Sequence, residues 1–288
     1  MRAIFRHEIS SCFTNLTGYV FGAFLLLFAG IFTMVYNLNY QVANFEYVVS
    51  EMSFVFLIIV PILTMRVLAE ERRQKTDQLL YSLPLSMTQV VLGKYAALLC
   101  MLLIPTAILC LYPIALSAFG NIYFPAAFGA IAGFFFLGAA LTAIGVFVSS
   151  VTESQAVAAG LCFVVMLVNY FLNSLSDFVS SSAFSSFAAF AVVILLLVAI
   201  LWRMTRNSTV ALVVGIVLEG GLGALYLTRS DDFAGLFPEI LQNLSLFERF
   251  YTFVNGIFDW TAIVYFLTII GLFLFLSVLS LEKRRWSE

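Results

Sequence analysis

The sequence predicts an all-α, polytopic membrane protein of about eight transmembrane helices, with both termini in the cytoplasm. Three observations lead there. Of the 288 residues, 62% are hydrophobic and only 10% are charged, whereas soluble domains run at roughly 25% charged. So few charges cannot cover a water-facing surface, and with a mean hydropathy of +1.05 the outer solvent must be lipid. Apolar runs also recur at a length of about 20 residues, the number a helix needs to cross a bilayer core. Finally, the basic residues sort to one side of those runs. The same composition excludes an intrinsically disordered chain, a secreted disulfide scaffold and a basic nucleic-acid binder.

The apolar runs fall at 16–36, 48–68, 90–116, 124–149, 156–173, 187–202, 209–228 and 260–281. The first is too long for a signal peptide and lacks its small-residue cleavage pattern, so it is expected to stay as a span. With the N-terminus inside, Arg2, Arg6, Arg66, Arg72, Arg73, Lys75, Lys94, Arg203, Arg206, Lys283, Arg284 and Arg285 lie on the cytoplasmic face. Only Arg229 and Arg249 lie outside, as the positive-inside rule requires. Trp202, Trp260 and Trp286 fall at span ends, where amphipathic rings prefer to sit. The Ser-rich break at 174–186 separates the fifth and sixth runs. Merging them would leave seven helices and send Lys283, Arg284 and Arg285 outside, so parity favours eight. No internal repeat is visible, and the chain reads as one transmembrane domain, 1–288. The stretches at 66–93 and 229–259 are long enough to be structured but too short to hold a catalytic domain.

Cys12, Cys100, Cys110 and Cys162 are scattered through apolar sequence, and His7 is the single histidine. Neither a disulfide framework nor a zinc site is expected, only inert thiols. Catalytic and nucleotide-binding motifs are missing as well. Gly93-Lys94 is followed by Tyr95 and has no glycine five residues earlier, so it is not a phosphate-binding loop. The glycines at 220, 221 and 223 sit inside an apolar run with no preceding strand, which excludes a dinucleotide fingerprint.

In the inner stretch, charges at Arg66, Glu70, Glu71, Arg72, Arg73, Lys75 and Asp77 precede Leu79, Leu80 and Leu83 at helical spacing, and Pro84 stops the pattern. Spacing alone allows a short amphipathic helix on the cytoplasmic face or an ordinary solvated loop. At the N-terminus, Ile4, Phe5, Ile9 and Phe13 stand opposite Arg2, Arg6 and Glu8, a pattern suited to a helix lying in the membrane interface. The alternative there is a simple continuation of the first span. His7 is expected to be an interfacial side chain.

On the outer side, Leu244, Phe247, Phe250, Val254 and Phe258 form an apolar stripe at helical spacing. It reads either as a helix capping an outer mouth, with Asp259 at its rim, or as a plain interfacial helix. Glu219 lies near the middle of the seventh run, where a charge costs roughly 2.5–3.5 kcal/mol or more and must face protein or water. A pathway or proton-linked role and a carboxyl hydrogen-bonded to a neighbouring helix both fit it. Gly215 and Gly223 would permit close packing beside it, and Gly18/Gly22 and Gly129/Gly133 offer two further small-residue faces.

Four stretches together resemble the ABC-2 type permeases, in particular the gliding-motility subgroup and its relatives in nitrous-oxide-reductase maturation. They are Phe5-Arg6-His7-Glu8 with Phe13 and Gly18-Tyr19-Val20; the segment 61–95; the loop 149–155 with Thr152, Glu153 and Gln155; and the carboxyl-terminal part, 244–286. The chain departs from the family pattern at Lys75, where a glycine is usual, and at Gln78, where a glutamate is common. Such permeases typically have six spans, which marks 187–228 as an inserted helix pair.

The resemblance implies an interfacial elbow helix at 1–15 and a coupling helix at 66–84. Glu70, Glu71, Arg72, Arg73, Lys75, Thr76, Asp77, Leu79 and Leu80 would then seat it in a separate ATPase subunit, with Thr152, Glu153 and Gln155 in a second cytoplasmic loop. It also implies a second permease chain, in some members an extracytoplasmic auxiliary protein, and ATP and magnesium held by the ATPase rather than by this chain. The expected activity is ATP-driven export across a bacterial-type plasma membrane. The competing reading is an ion-coupled carrier or channel using Glu219; an intramembrane enzyme lacks the catalytic groups it would need.

Counted by side, the net charge of −2 separates. The inner face carries Glu8, Glu70, Glu71, Asp77, Glu153, Glu282 and Glu288 against its larger basic set. The outer face is acidic through Glu46, Glu51, Asp177, Asp231, Asp232, Glu239, Glu248 and Asp259.

Overall fold

The computed structural model describes residues 2–14, 17–74, 86–178, 180–205 and 208–285, and these are helical with no strand among them. Two compact units are distinguished, one of residues 1–168 with 249–288 and one of residues 169–248.

The larger unit begins with α1 (Arg2–Thr14) and α2 (Thr17–Thr33), the latter running on as a π-helical stretch, Met34–Asn39. Helix α3 (Phe45–Met52) passes through one tight turn into α4 (Phe56–Thr64), and α5 (Ala69–Arg73) follows. Next come α6 (Met87–Leu109), α7 (Leu111–Leu116), α8 (Phe124–Val151) and α9 (Gln155–Phe178), whose last turns belong to the smaller unit.

Helix α8 is the axis of this unit. Its run of alanines and glycines is buried from Ala126 to Ser150 except at a few positions. Small side chains let neighbouring backbones come close, which is how helices associate where lipid removes the hydrophobic driving force. A Cβ built on Gly138 would lie 2.7 Å from the Phe56 ring, and one on Gly145 would lie 2.3 Å from Thr64 Oγ1. Phe56 and Phe134 stack across this α4–α8 seam with centroids 4.3 Å apart. On another side of the axis, Gly133 meets the Phe253 ring. Of the two expected small-residue faces, Gly129/Gly133 and Gly18/Gly22, one glycine of each meets a neighbour: Gly133, and Gly18 against Met101. Gly129 and Gly22 have no neighbour within 4 Å of an added Cβ, and the packing glycines of α8 are Gly133, Gly138 and Gly145.

The smaller unit contains α10 (Ala183–Thr205), α11 (Ser208–Thr228), a tight turn at Ser230–Phe233 and α12 (Leu236–Leu244). Helices α10 and α11 pack as a hairpin, with Phe187 against Tyr226 and Gly215 against Val198. Gly235 at φ +76°, a conformation glycine adopts without strain, opens α12. The chain then forms α13 (Leu246–Val254), turns at Gly256 (φ +78°) and ends in α14 (Trp260–Arg285), which packs along α8.

Six helical stretches among the described residues are long and apolar enough to cross a bilayer: Thr17–Asn39, Phe45–Arg73, Met87–Leu116, Phe124–Val151, Gln155–Phe178 and Trp260–Arg284. They fall on six of the eight expected runs. At the other two, 187–202 and 209–228, helices form as expected but do not count as full spans. Among the described residues, the apolar stretch of α10 is Ala183–Ala199, and Leu212–Thr228 is followed, after a bend of 113°, by Ser230–Leu244. Among the described residues, length and composition thus show six spans, or seven with the bent pair taken as one; an eighth is not shown. The polar sequence Arg229-Ser230-Asp231-Asp232 is what turns the chain there.

Candidate functional site

Residues from each of the four stretches singled out in the sequence meet at one end of the larger unit, the last stretch through the end of α14 alone. Lys94, about two turns into α6, is 3% exposed and lies 2.7 Å from both Glu8 of α1 and Glu71 of α5. Its third proton goes to the Val67 carbonyl at 3.0 Å. One buried ammonium thus joins the N-terminal helix, the charged segment and the third span, with all three donors used. Burying a charge is tolerated only with this degree of pairing, because an unpaired ion in the interior costs several kcal/mol.

Next to it, Ser149 near the end of α8 is fully buried. Its Oγ accepts the backbone N–H groups of Leu68 and Ala69, each at 3.1 Å. Helix α5 thus starts without a side-chain cap of its own, and a serine eighty residues away satisfies its first donors. Arg72 turns inward and donates through Nη1 to the Thr152 carbonyl at 3.0 Å. The Thr152 hydroxyl in turn donates to the Val148 carbonyl. From α14, Arg284 reaches the Val151 carbonyl at 3.0 Å and Glu153 at 3.3 Å, and Ser280 donates to the Ser150 carbonyl. Gln155 is the first residue of α9.

The expected coupling residues therefore divide. Glu71 and Arg72 are held by the frame, whereas Glu70 is half-buried, accepting from Gln74 at 3.2 Å, and Arg73 is exposed. Lys75, Thr76, Asp77, Leu79 and Leu80 lie outside the described residues. Glu8, expected on the polar side of the N-terminal helix, faces inward, because Lys94 must be neutralised and α1 is the helix packed against α6. Sequence reasoning missed Lys94 itself. Its signal was present: a lysine inside the apolar run 90–116 has to find acids, and Glu8 and Glu71 were on the same face.

The expected outer stripe is kept in part. Phe247, Phe250 and Val254 are buried, Phe247 edge-on to Tyr170 and Phe250 edge-on to Phe134. Leu244 and Phe258 are exposed, because the break at Ser245 leaves Leu244 at the end of α12 and the turn at Gly256 puts Phe258 beyond α13. Ser245 Oγ caps α13 by accepting the Glu248 N–H. Asp259 caps α14 instead of standing free at a rim. It accepts the Thr261 amide at 2.8 Å and the Thr261 hydroxyl at 2.6 Å. Those two bonds, with the Arg249 charge adding, hold its carboxyl below the ordinary value. Within the smaller unit, Asn169, Asn173 and Ser176 lie on one face of α9 and hold the α12–α13 bend. Asn169 accepts the Leu246 N–H, Asn173 donates to Glu248 at 2.7 Å, and Gln242 donates to Ser176. These polar residues marked the end of a span in the sequence; what they bind could not be read there.

Glu219 lies on α11, partly buried, and its Oε1 is enclosed with no hydrogen-bond partner among the described residues. Among the described residues, no bond from this oxygen to a neighbouring helix is seen.

A family model described as ABC-2 family transporter protein matches residues 2–286. The chain belongs to the ABC-2 transporter family. No curated protein and no solved structure matches the chain. The match is to the family as a whole and does not carry the subgroup suggested by the motifs. An ABC-2 permease is a multi-pass transmembrane subunit of an ABC transporter and is not itself catalytic; such permeases work with an ATPase subunit and are often dimeric. In this ABC-2 permease, the cluster around Lys94 and Ser149 gathers residues from α1, α5, α6, α8 and the α4–α5 turn, and α14 closes on the end of α8 beside it.

Proposed function

We propose that this chain is the membrane half of an ATP-driven exporter, and that the segment 66–84 is its coupling element. The observation that supports this reading is the buried Lys94 bridge. A charged helix hanging in a loop could not pass a push to the spans. Helix α5 is tied instead through Glu71 to α6 and α1, through Arg72 and the Ser149 cap to α8, so a displacement at its surface reaches several spans at once. Glu70 and Arg73 are left to meet the ATPase, with Glu153 nearby on the α8–α9 loop. Opposite charges at such a rim set register and encounter more than affinity. A bacterial-type plasma membrane, cytoplasmic termini, a dimer of permease chains and an extracytoplasmic auxiliary protein complete the reading. The motif residues at 5–20 and 61–95 support placement in the gliding-motility and nitrous-oxide-reductase-maturation subgroup, and the 187–228 pair is then an insertion into a six-span core.

Co-purification from native membranes tests this most directly. An ATPase chain should accompany the permease, and substrate movement should require ATP hydrolysis. A complex without ATPase, active without ATP, would sink the proposal.

The carrier reading keeps one supporting observation, the enclosed and unpartnered Oε1 of Glu219. Under it, Glu219→Gln abolishes ion-dependent transport. Under the ABC reading the same variant leaves ATP-driven transport within about twofold of wild type, as a neutral isostere in an inserted helix should.

A further inference from the structure

Between α2 and α4 lies a groove of about 270 Å³, walled by Val20, Phe21, Phe24, Ile58, Ile62 and Leu63. Val20, Ile58 and Ile62 are exposed at its lips, so it opens sideways out of the helix pair. The polar residues that line it, Thr17 and Arg66, sit at the same end, because α2 begins at Thr17 and α4 has just ended before Arg66. Arg66 is exposed, and no carboxylate among the described residues lies within ion-pair distance of it. Apolar slots with a few convergent polar groups are what small-molecule sites look like. Here the polarity is confined to one mouth and is cationic, which selects an amphiphile with an anionic head.

We propose that this groove holds one anionic phospholipid, an acyl chain lying along Phe21, Phe24 and Ile58 and the phosphate on the Arg66 guanidinium. A planar guanidinium takes a phosphate through two parallel N–H bonds, and the groove mouth lies at the end of the bundle where the basic residues gather. A second copy of this chain fits the face poorly. Pairing the patch with itself sets Arg66 against apolar side chains or its own copy, since α2 and α4 carry no acid to meet it. The inference goes beyond the coupling role and stands or falls without it.

The test uses the full-length protein in detergent, incubated with equal amounts of phosphatidylglycerol and phosphatidylcholine and examined by native mass spectrometry. Wild type should retain phosphatidylglycerol roughly fivefold over phosphatidylcholine, the scale expected of one arginine near a phosphate. R66Q should bring the ratio to parity, and R66K should keep most of it. I58W, which fills the slot and leaves the arginine, should lower retention of both lipids. Thermal unfolding in phosphatidylcholine alone shows which variants are folded; should R66Q fail there, R66K and I58W decide. Equal retention by wild type, an unchanged ratio in R66Q or normal retention in I58W would each overturn the proposal. So would a V20C variant that forms an intermolecular disulfide and thereby loses no bound phosphatidylglycerol.

Discussion

Lys94 shows how a single residue can organise one end of a membrane protein. With two carboxylates 2.7 Å away and 3% exposure, its charge is a structural requirement of the fold. Replacing it by methionine would keep the packing and leave Glu8 and Glu71 facing each other, which should cost about 3–5 kcal/mol, as for other broken buried pairs. The triple replacement Lys94→Met, Glu8→Gln, Glu71→Gln removes the stranded charges and should recover most of that loss, measured by thermal unfolding in detergent. A triple variant no more stable than Lys94→Met would mean that the carboxylates are not what the lysine offsets. Ser149 offers a milder version of the same logic. Ser149→Ala strands the buried N–H groups of Leu68 and Ala69, and roughly 1–3 kcal/mol is expected. Both residues were in plain view in the sequence, Lys94 inside an apolar run and Ser149 in a recognisable motif. Their partners were not, because those partners lie 23 to 86 positions away and only tertiary packing brings them together.

At the scale of elements, hydrophobic run length was enough to place six spans, since the bilayer fixes how long an apolar helix must be. It also ended the seventh run at Thr228, where α11 ends, but a window average does not show the short helix that follows the bend at Arg229. The small-residue face of α8 was legible in part: of the expected Gly129 and Gly133 only Gly133 meets a neighbouring helix, and the closer approaches at Gly138 and Gly145 were not singled out. Gly145→Ala should therefore destabilise by about 1–3 kcal/mol, because Thr64 has nowhere to move, and Gly129→Ala should be neutral. Paired unfolding curves would check this, and equal effects would contradict the seam.

The cap of α14 adds a pH signature. Asp259 titrates below its ordinary value in the fold, so its contribution is present above the unfolded-state value and is lost as pH falls through the folded one. The gap in unfolding temperature between wild type and Asp259→Ala should stay constant from neutral pH down to about pH 5 and close below about pH 4. A gap that widened on acidification would rule out the cap as its source.

For the whole molecule, the separation of the α5 charges into two groups makes the coupling proposal testable without confusing docking with folding. Glu71 and Arg72 are bound into the frame; Glu70 and Arg73 are presented at its surface. Reversing Glu70 and Arg73 together, Glu70→Arg with Arg73→Glu, turns rim attraction into repulsion. That should weaken ATPase binding roughly tenfold, the equivalent of about 1.4 kcal/mol, while thermal stability stays at the wild-type value. Reversing Glu71 instead should lower stability first, and loss of coupling would follow from a disturbed frame. The two variants thus separate in opposite corners of a plot of stability against ATPase stimulation. If the Glu70/Arg73 reversal leaves both stability and ATPase stimulation unchanged, the exposed edge of α5 is not the ATPase seat. The proposed coupling surface would then have to be sought on the α8–α9 loop, where Glu153 and Arg284 already pair.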